Sequence, residues 1–133
     1  DRALLRAFHF LEENRRVEEM ERALAEGDIP GFLGLVRESG ASSYRWLQNC
    51  YPPEEASEQG IPLALYLTES FLQNLPNNPG ACRVHGGGFA GTIQAYIPTA
   101  VFPSYRQRME RYFGGGCVLP VSIRSRGAGA VFF

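Results

Sequence analysis

The spacing of apolar residues changes character along the chain. Up to about residue 76 they recur every three to four positions, and beyond residue 80 they gather in short runs between turns. The first pattern predicts helices and the second strands. Residues 2–25 lack Pro and Gly, and Ala3, Ala7, Phe10, Val17, Met20 and Leu24 fall near one face of a long helix. Glu12, Glu13, Arg15, Arg16, Glu18, Glu19 and Arg22 cover the rest as a solvated face, with Glu12–Arg16 and Glu18–Arg22 at i,i+4 spacing. Gly27 stops this helix, and Asp28 caps a second one over residues 30–39 with Pro30 in its first turn.

Residues 39–43 read as a small polar turn, followed by a short helical piece through Trp46 and Leu47 that ends at Tyr51-Pro52-Pro53. A loop through Gly60 leads to a third helix after Pro62, with Leu63, Leu67, Phe71 and Leu75 along one stripe. Pro76-Asn77-Asn78-Pro79-Gly80 is a turn. Strands are expected at residues 81–84, 92–97 and 118–123, with a further one at 129–133. Between the second and third strands lies a helix over 103–113 that turns Tyr105, Met109 and Tyr112 inward. Gly114-Gly115-Gly116 closes that helix as a C-terminal turn. Helices first, strands later and a strand–helix–strand return predict an α+β fold with an antiparallel sheet.

The length of 133 residues supports one domain, spanning residues 1–133, that can bury a core without disulfides or metal. No apolar run approaches ~18 residues, so no membrane-spanning helix is expected. The chain opens on Asp1-Arg2-Ala3 with no initiator Met or signal pattern, from which we expect a piece of something longer. A net charge of −1 argues against a general nucleic-acid binder. The charge is uneven: residues 1–79 carry a balance of −6 and residues 80–133 one of +5. Such a basic half suits an anionic ligand, or it attracts the acidic half of the same domain.

All 13 basic residues are Arg, which excludes a complete Walker loop and Schiff-base chemistry. Cys50, Cys82 and Cys117 are widely spaced, so reduced thiols in a cytoplasmic protein are expected. His9 and His85 are too few for a zinc site.

The chemistry concentrates in residues 80–92, Gly-Ala-Cys-Arg-Val-His-Gly-Gly-Gly-Phe-Ala-Gly-Thr. Glycine loses more backbone entropy on folding than any other residue, so this run implies unusual torsions or close backbone approach. Successive exposed N–H groups there would form a nest for phosphate or carboxylate; a ligand-free flexible hairpin is the other reading. Gly86-x-Gly88-x-x-Gly91 fits a dinucleotide fingerprint, but a strand follows where that motif needs a helix. His85-Gly86-Gly87-Gly88 also fits an esterase oxyanion loop, yet no Gly-x-Ser-x-Gly elbow and no later His follow.

The same thirteen residues resemble the third motif of the galactokinase branch of the GHMP kinases (galactokinase, homoserine, mevalonate and phosphomevalonate kinases), in which an Arg stands three positions before a Gly-Gly-Gly-Phe-small-Gly loop, as Arg83 does. The resemblance extends upstream. Arg6-Ala7-Phe8-His9 with Glu12, Asn14 and Arg15 is similar to that branch's Arg-Ala-x-His helix, Ala23-Leu24 with Gly27-Asp28 to its end, and Glu38-Ser39…Ser42-Ser43 to a Glu-Ser-His-x-Ser segment. Gly40-Ala41 replaces the usual His there, and Ala90 a common Gly.

The resemblance implies the C-terminal domain of a two-domain kinase, a ferredoxin-like antiparallel sheet with additional helices. The whole enzyme would transfer the γ-phosphoryl of MgATP to the C1 hydroxyl of galactose. Its partners would be ATP, a hexose and the N-terminal domain of the same polypeptide; nucleic acid and membrane are not expected. No catalytic residue and no metal ligand is expected in this chain, which alone would be inactive. The resemblance makes Gly86, Gly87, Gly88, Phe89 and Gly91 a nucleotide- and phosphate-region loop, whose glycines let the backbone approach the phosphoryl-transfer region and the N-terminal phosphate loop. It leaves Arg83 to offset phosphate charge or, preferably, to brace the loop through carbonyls, and His85 to anchor the loop rather than act as acid or base. A non-catalytic sugar- or nucleotide-sensing homologue is the alternative.

Overall fold

Asp1 starts the first helix: its side chain accepts the Ala3 N–H at 2.9 Å, and α1 runs over Arg2–Glu26. The structure, a computed structural model, describes residues 1–89 and 91–123. At the other end of α1, Gly27 takes a left-handed conformation and the Asp28 N–H reaches back to the Ala23 carbonyl at 2.8 Å. Asp28 then accepts the Gly31 N–H at 2.9 Å and opens α2, Ile29–Ser42.

The polar turn expected at residues 39–43 is absent. Helix α2 continues through it into a π-helical turn, Ser43–Leu47, which ends at left-handed Gln48. The reason is packing. Ser39 and Ser42 face inward, where α1 supplies their hydrogen-bond partners, and a Cβ on Gly40 would stand 3.1 Å from the Cys82 carbonyl. A composition that reads as a turn here serves close approach of α2 to a strand.

The third helix, α3, covers Gly60–Gln73 and begins two residues before Pro62. Proline fits in a first turn because its missing N–H has no helical acceptor there. Buried on it are Ile61, Leu67, Thr68 and Leu72, while Leu63 of the expected stripe is exposed. Next come β1, Ala81–Val84, and β2, Ile93–Tyr96, paired antiparallel with Val84 opposite Ile93 and Ala81 opposite Tyr96. A short 3-10 turn, Thr99–Val101, leads into α4, Phe102–Phe113. Tyr105 and Met109 point inward as expected, whereas Tyr112 is 57% exposed. Gly114 ends α4 with its N–H on the Glu110 carbonyl at 3.0 Å, the C-terminal turn read from the sequence.

The described residues thus form an α+β arrangement of four α-helices and one two-stranded antiparallel sheet. Two apolar clusters fill it. Cys50, Ile61 and Val84 pack with Leu65 and Ile93 at one end of the hairpin. Leu67, Tyr105 and Met109 pack with Phe71, Ala95 and Ile97 at the other. Thr68 and Tyr105 satisfy each other inside the second, oxygen to oxygen at 2.9 Å.

Two further expectations fail. Residues 118–123 form no strand: Val118 rests on the second cluster and the Arg106 guanidinium holds its carbonyl at 3.4 Å, but Ile123 is already 92% exposed. Pro120 cannot donate to a ladder, which weakens pairing on any edge. On α1 the buried stripe is His9, Arg16 and Ala23, whereas Phe10 is 64% exposed and Val17 and Leu24 also face out. The polar stripe turns inward because α2 and β1 present its partners. The strand expected at 129–133 and the substitution at Ala90 lie outside the described residues. Among the described residues, no helix is long and apolar enough to cross a membrane.

Candidate functional site

The glycine stretch is the turn of the β1–β2 hairpin. At its root the His85 N–H donates to the Thr92 carbonyl at 3.1 Å, extending the ladder by one pair. The Gly88 N–H then folds back on the His85 carbonyl at 3.3 Å. Gly86, Gly88, Phe89 and Gly91 all have positive φ, which explains the glycines and leaves Phe89 as the exception among them.

One side of the loop is seated. The Phe89 N–H donates to the Asn49 carbonyl at 3.2 Å, and Gly88 is buried against the same residue. A Cβ on Gly88 would overlap the Asn49 carbonyl oxygen and stand 2.9 Å from its Cγ and Nδ2. Only glycine fits. The other side is open: His85, Gly86, Gly87, Phe89 and Gly91 are exposed. Among the described residues, the Gly86 and Gly87 amides meet no backbone acceptor, and His85 is exposed beside them. Such a surface offers peptide N–H groups to an anion.

Arg83, three positions before the first loop glycine, points its guanidinium at protein groups. Its Nε donates to the Val84 carbonyl at 3.2 Å and its Nη1 to Glu13 Oε1 at 2.9 Å. The Ser39 hydroxyl donates to the same Glu13 oxygen, and Arg16 donates to the other. Arg16, only 5% exposed, also lies 3.8 Å from Glu12 and 3.9 Å from Glu38. One helical turn earlier, His9 Nδ1 and the Ser42 hydroxyl are 2.9 Å apart, and Arg6 reaches the Leu47 carbonyl at 3.3 Å.

This cluster joins α1, α2 and β1 through polar contacts that a solvated-face reading of Glu13 and Arg16 did not foresee. Burial pushes the Glu13 carboxyl up, but the Ser39 hydroxyl and the Arg83 and Arg16 charges outweigh it, so it titrates below its ordinary range. Burial pushes His9 down; Glu13 opposes that, and Arg16 and Arg83 reinforce it. The net effect lowers His9 below its ordinary value, which favours the neutral ring beside its hydroxyl partner.

The sequence-expected residues thus divide. Arg83 lies in the ion-pair cluster, and the glycines and His85 lie on the loop. Glu12, matched in the sequence, is peripheral, and its neighbour Glu13 occupies the centre. Asn49 was also missed. Its importance arises from contact with Gly88, and no local pattern around it marks that. The signal that could have found Glu13 and Arg16 is their place on one stripe with His9 and Ala23, at helical spacing.

Chemically the loop can bind but supplies little else. It offers amide donors and one exposed imidazole, while Glu13, the carboxylate paired with Arg83, is committed to two guanidiniums. Among the described residues no three His, Cys, Asp or Glu side chains stand together as metal ligands. Among the described residues, an open hollow of about 450 Å³ lies between α1 and α2, bordered by Glu19, Glu26, Asp28 and Glu38, and another of about 220 Å³ beside β1, bordered by Arg37, Glu69 and Cys82. No protein-family model matches the chain, and no solved structure matches it.

Proposed function

We propose that this chain is the C-terminal domain of a galactokinase-like member of the GHMP kinases, working in the cytoplasm as part of an enzyme that phosphorylates the C1 hydroxyl of galactose with MgATP. The ferredoxin-like form of the α+β fold, with its additional helices, belongs to the same proposal. One observation supports it: residues of three separate resembling stretches meet in pairs across α1, α2 and β1, with Glu13, the neighbour of the matched Glu12, between two of them. Arg6 and His9 from the first meet Leu47 and Ser42 near the second, while Ser39 and Arg83 share Glu13.

Within this reading the loop is one wall of the phosphoryl-transfer site. Transfer depends on positioning and on clamping charge, and exposed amides at Gly86 and Gly87 supply donors without side chains in the way. The Arg83–Val84 bond steadies the strand that leads into that wall, and its tip rests on Asn49. The acceptor site, the catalytic carboxylate and most of the nucleotide contacts would belong to an N-terminal domain.

The test is an ADP-release assay with galactose and MgATP on two proteins: the 133-residue chain, and the polypeptide that includes whatever its coding sequence places before Asp1. Galactose-dependent release is expected from the longer protein only. Release by the short chain would overturn the division of labour. A longer protein that binds galactose and ATP without turnover would assign the sensing alternative.

A further inference from the structure

Asn49 carries a cost that the seated loop imposes. Its residue is 2% exposed, and neither its Oδ1 nor its Nδ2 has a hydrogen-bond partner among the described residues. The amide is aimed at the loop, with Nδ2 2.9 Å from the place a Gly88 Cβ would take. A buried primary amide with no partner forgoes bonds that water would otherwise supply, and one backbone bond, Phe89 N–H to Asn49 O, stands against that loss. The seated loop also holds Phe89, a bulky residue with its ring half exposed, at φ 45°.

Among the described residues, the other backbone bond of the tip, from the Gly88 N–H to the His85 carbonyl, lies within the turn itself and ties it to no other element. Gly86 and Gly87 are exposed, with space around each for a side chain. The ladder below is closed separately by the His85–Thr92 bond, so the tip can leave its seat without opening the hairpin. Costs are therefore concentrated at one contact, flanked by glycines whose torsions are free to change.

We propose that residues 86–89 form a latch with two positions: the seated one, closed over Asn49, and a raised one in which the Asn49 amide hydrogen-bonds with water. The Asn49 side chain drives the raising, because it is the group that gains partners when Gly88 lifts. The inference stands on the seat alone and does not depend on the kinase reading. It makes the exposure of a polar floor beneath the loop adjustable.

Hydrogen exchange by NMR on the 133-residue chain tests it at the Phe89 amide, with the ladder amides of Arg83 and Gln94 as reference. In the wild type, Phe89 should exchange at least tenfold faster than the reference amides; equal protection would overturn the latch. Asn49→Leu keeps the side-chain shape and removes the polar atoms. In this variant Phe89 should exchange at least fivefold more slowly than in the wild type, relative to the ladder. Unchanged or faster relative exchange would refute the role of Asn49. Gly88→Ala cannot seat, so Phe89 should lose its protection while Arg83 and Gln94 keep theirs; retained protection at Phe89 also counts against the proposal. If either variant fails to fold, equal protection of Phe89 and the ladder amides in the wild type still overturns the proposal.

Discussion

Glu13 and Arg83 stand 70 positions apart in the chain and meet at 2.9 Å, tying the first helix to the first strand just before the glycine loop. Both side chains are mostly buried, so water screens the pair weakly. Removing the carboxylate leaves Arg16 and Arg83 without their shared acceptor. Glu13→Ala should therefore destabilise the fold by about 2–3 kcal/mol in urea titration. In a double-mutant cycle with Arg83→Met, a coupling of about 1–2 kcal/mol is expected. Additivity within about 0.3 kcal/mol would show that the contact contributes nothing of its own.

Stability should fall on acidification in two stages. His9 titrates lower folded than its ordinary 6.5, so the unfolded chain takes up its proton first and stability declines as pH drops below that value. Glu13 also titrates lower folded than its ordinary 4.5; its contribution is complete above that pH and disappears as pH falls through the folded value. Midpoints of urea unfolding between pH 7.5 and 3 would map both stages. In His9→Gln the first stage should flatten while the second remains.

Two glycines of α2 should respond to alanine in opposite directions. Nothing lies within 4 Å of a Cβ at Gly34, so Gly34→Ala should stabilise by about 0.5–1 kcal/mol through helix propensity. At Gly40 the new methyl would press on the Cys82 carbonyl at 3.1 Å and Arg83 Cβ at 3.2 Å. Gly40→Ala should destabilise by about 1 kcal/mol despite the same propensity gain. Thermal melts of the two variants side by side would separate the effects.

The thiols should differ in reactivity. Cys117 is exposed, while burial pushes Cys50 up to about 11 and, with Glu69 nearby, Cys82 up to about 12. Titration with a thiol reagent at pH 8 should find one fast thiol in the native chain and three after unfolding. Replacing Cys117 with Ser should abolish the fast phase.

At the loop itself, Gly87 has ordinary φ and open space around it. Gly87→Val should leave the unfolding midpoint of this chain nearly unchanged, a shift within about 0.5 kcal/mol. Under the kinase reading, the same change in the longer enzyme should lower turnover sharply, because the branched side chain blocks approach to the backbone. Normal turnover would leave the loop as a plain hairpin.

How much of this could be read from the residues depended on how local the cause was. Strand β1 was legible to the residue, since an apolar run between Pro79-Gly80 and the glycines leaves few alternatives. Asp28 was legible as a cap because capping acts over three residues. The inward face of α1 was not, because Phe10 and Val17 outrank His9 and Arg16 on hydrophobicity. The choice was made by Ser42 and Glu38 on α2 and by Arg83 on β1, all distant in sequence. Ser39 to Ser43 misled for the same reason, as did residues 118–123, whose alternating pattern names no pairing edge. The loop's glycines announced themselves, but the residue beneath them did not.

The polar cluster also implies an order of assembly. Glu13 finds Arg16 three residues away, Ser39 at a separation of 26, and Arg83 only at 70. Chain closure costs more as the separation grows, so the two helices can pair while the hairpin is still unformed. The carboxylate would then wait, already desolvated and held by α1 and α2, as a docking point for the arriving strand. Loss of the Arg83 contact should accordingly speed unfolding far more than it slows folding.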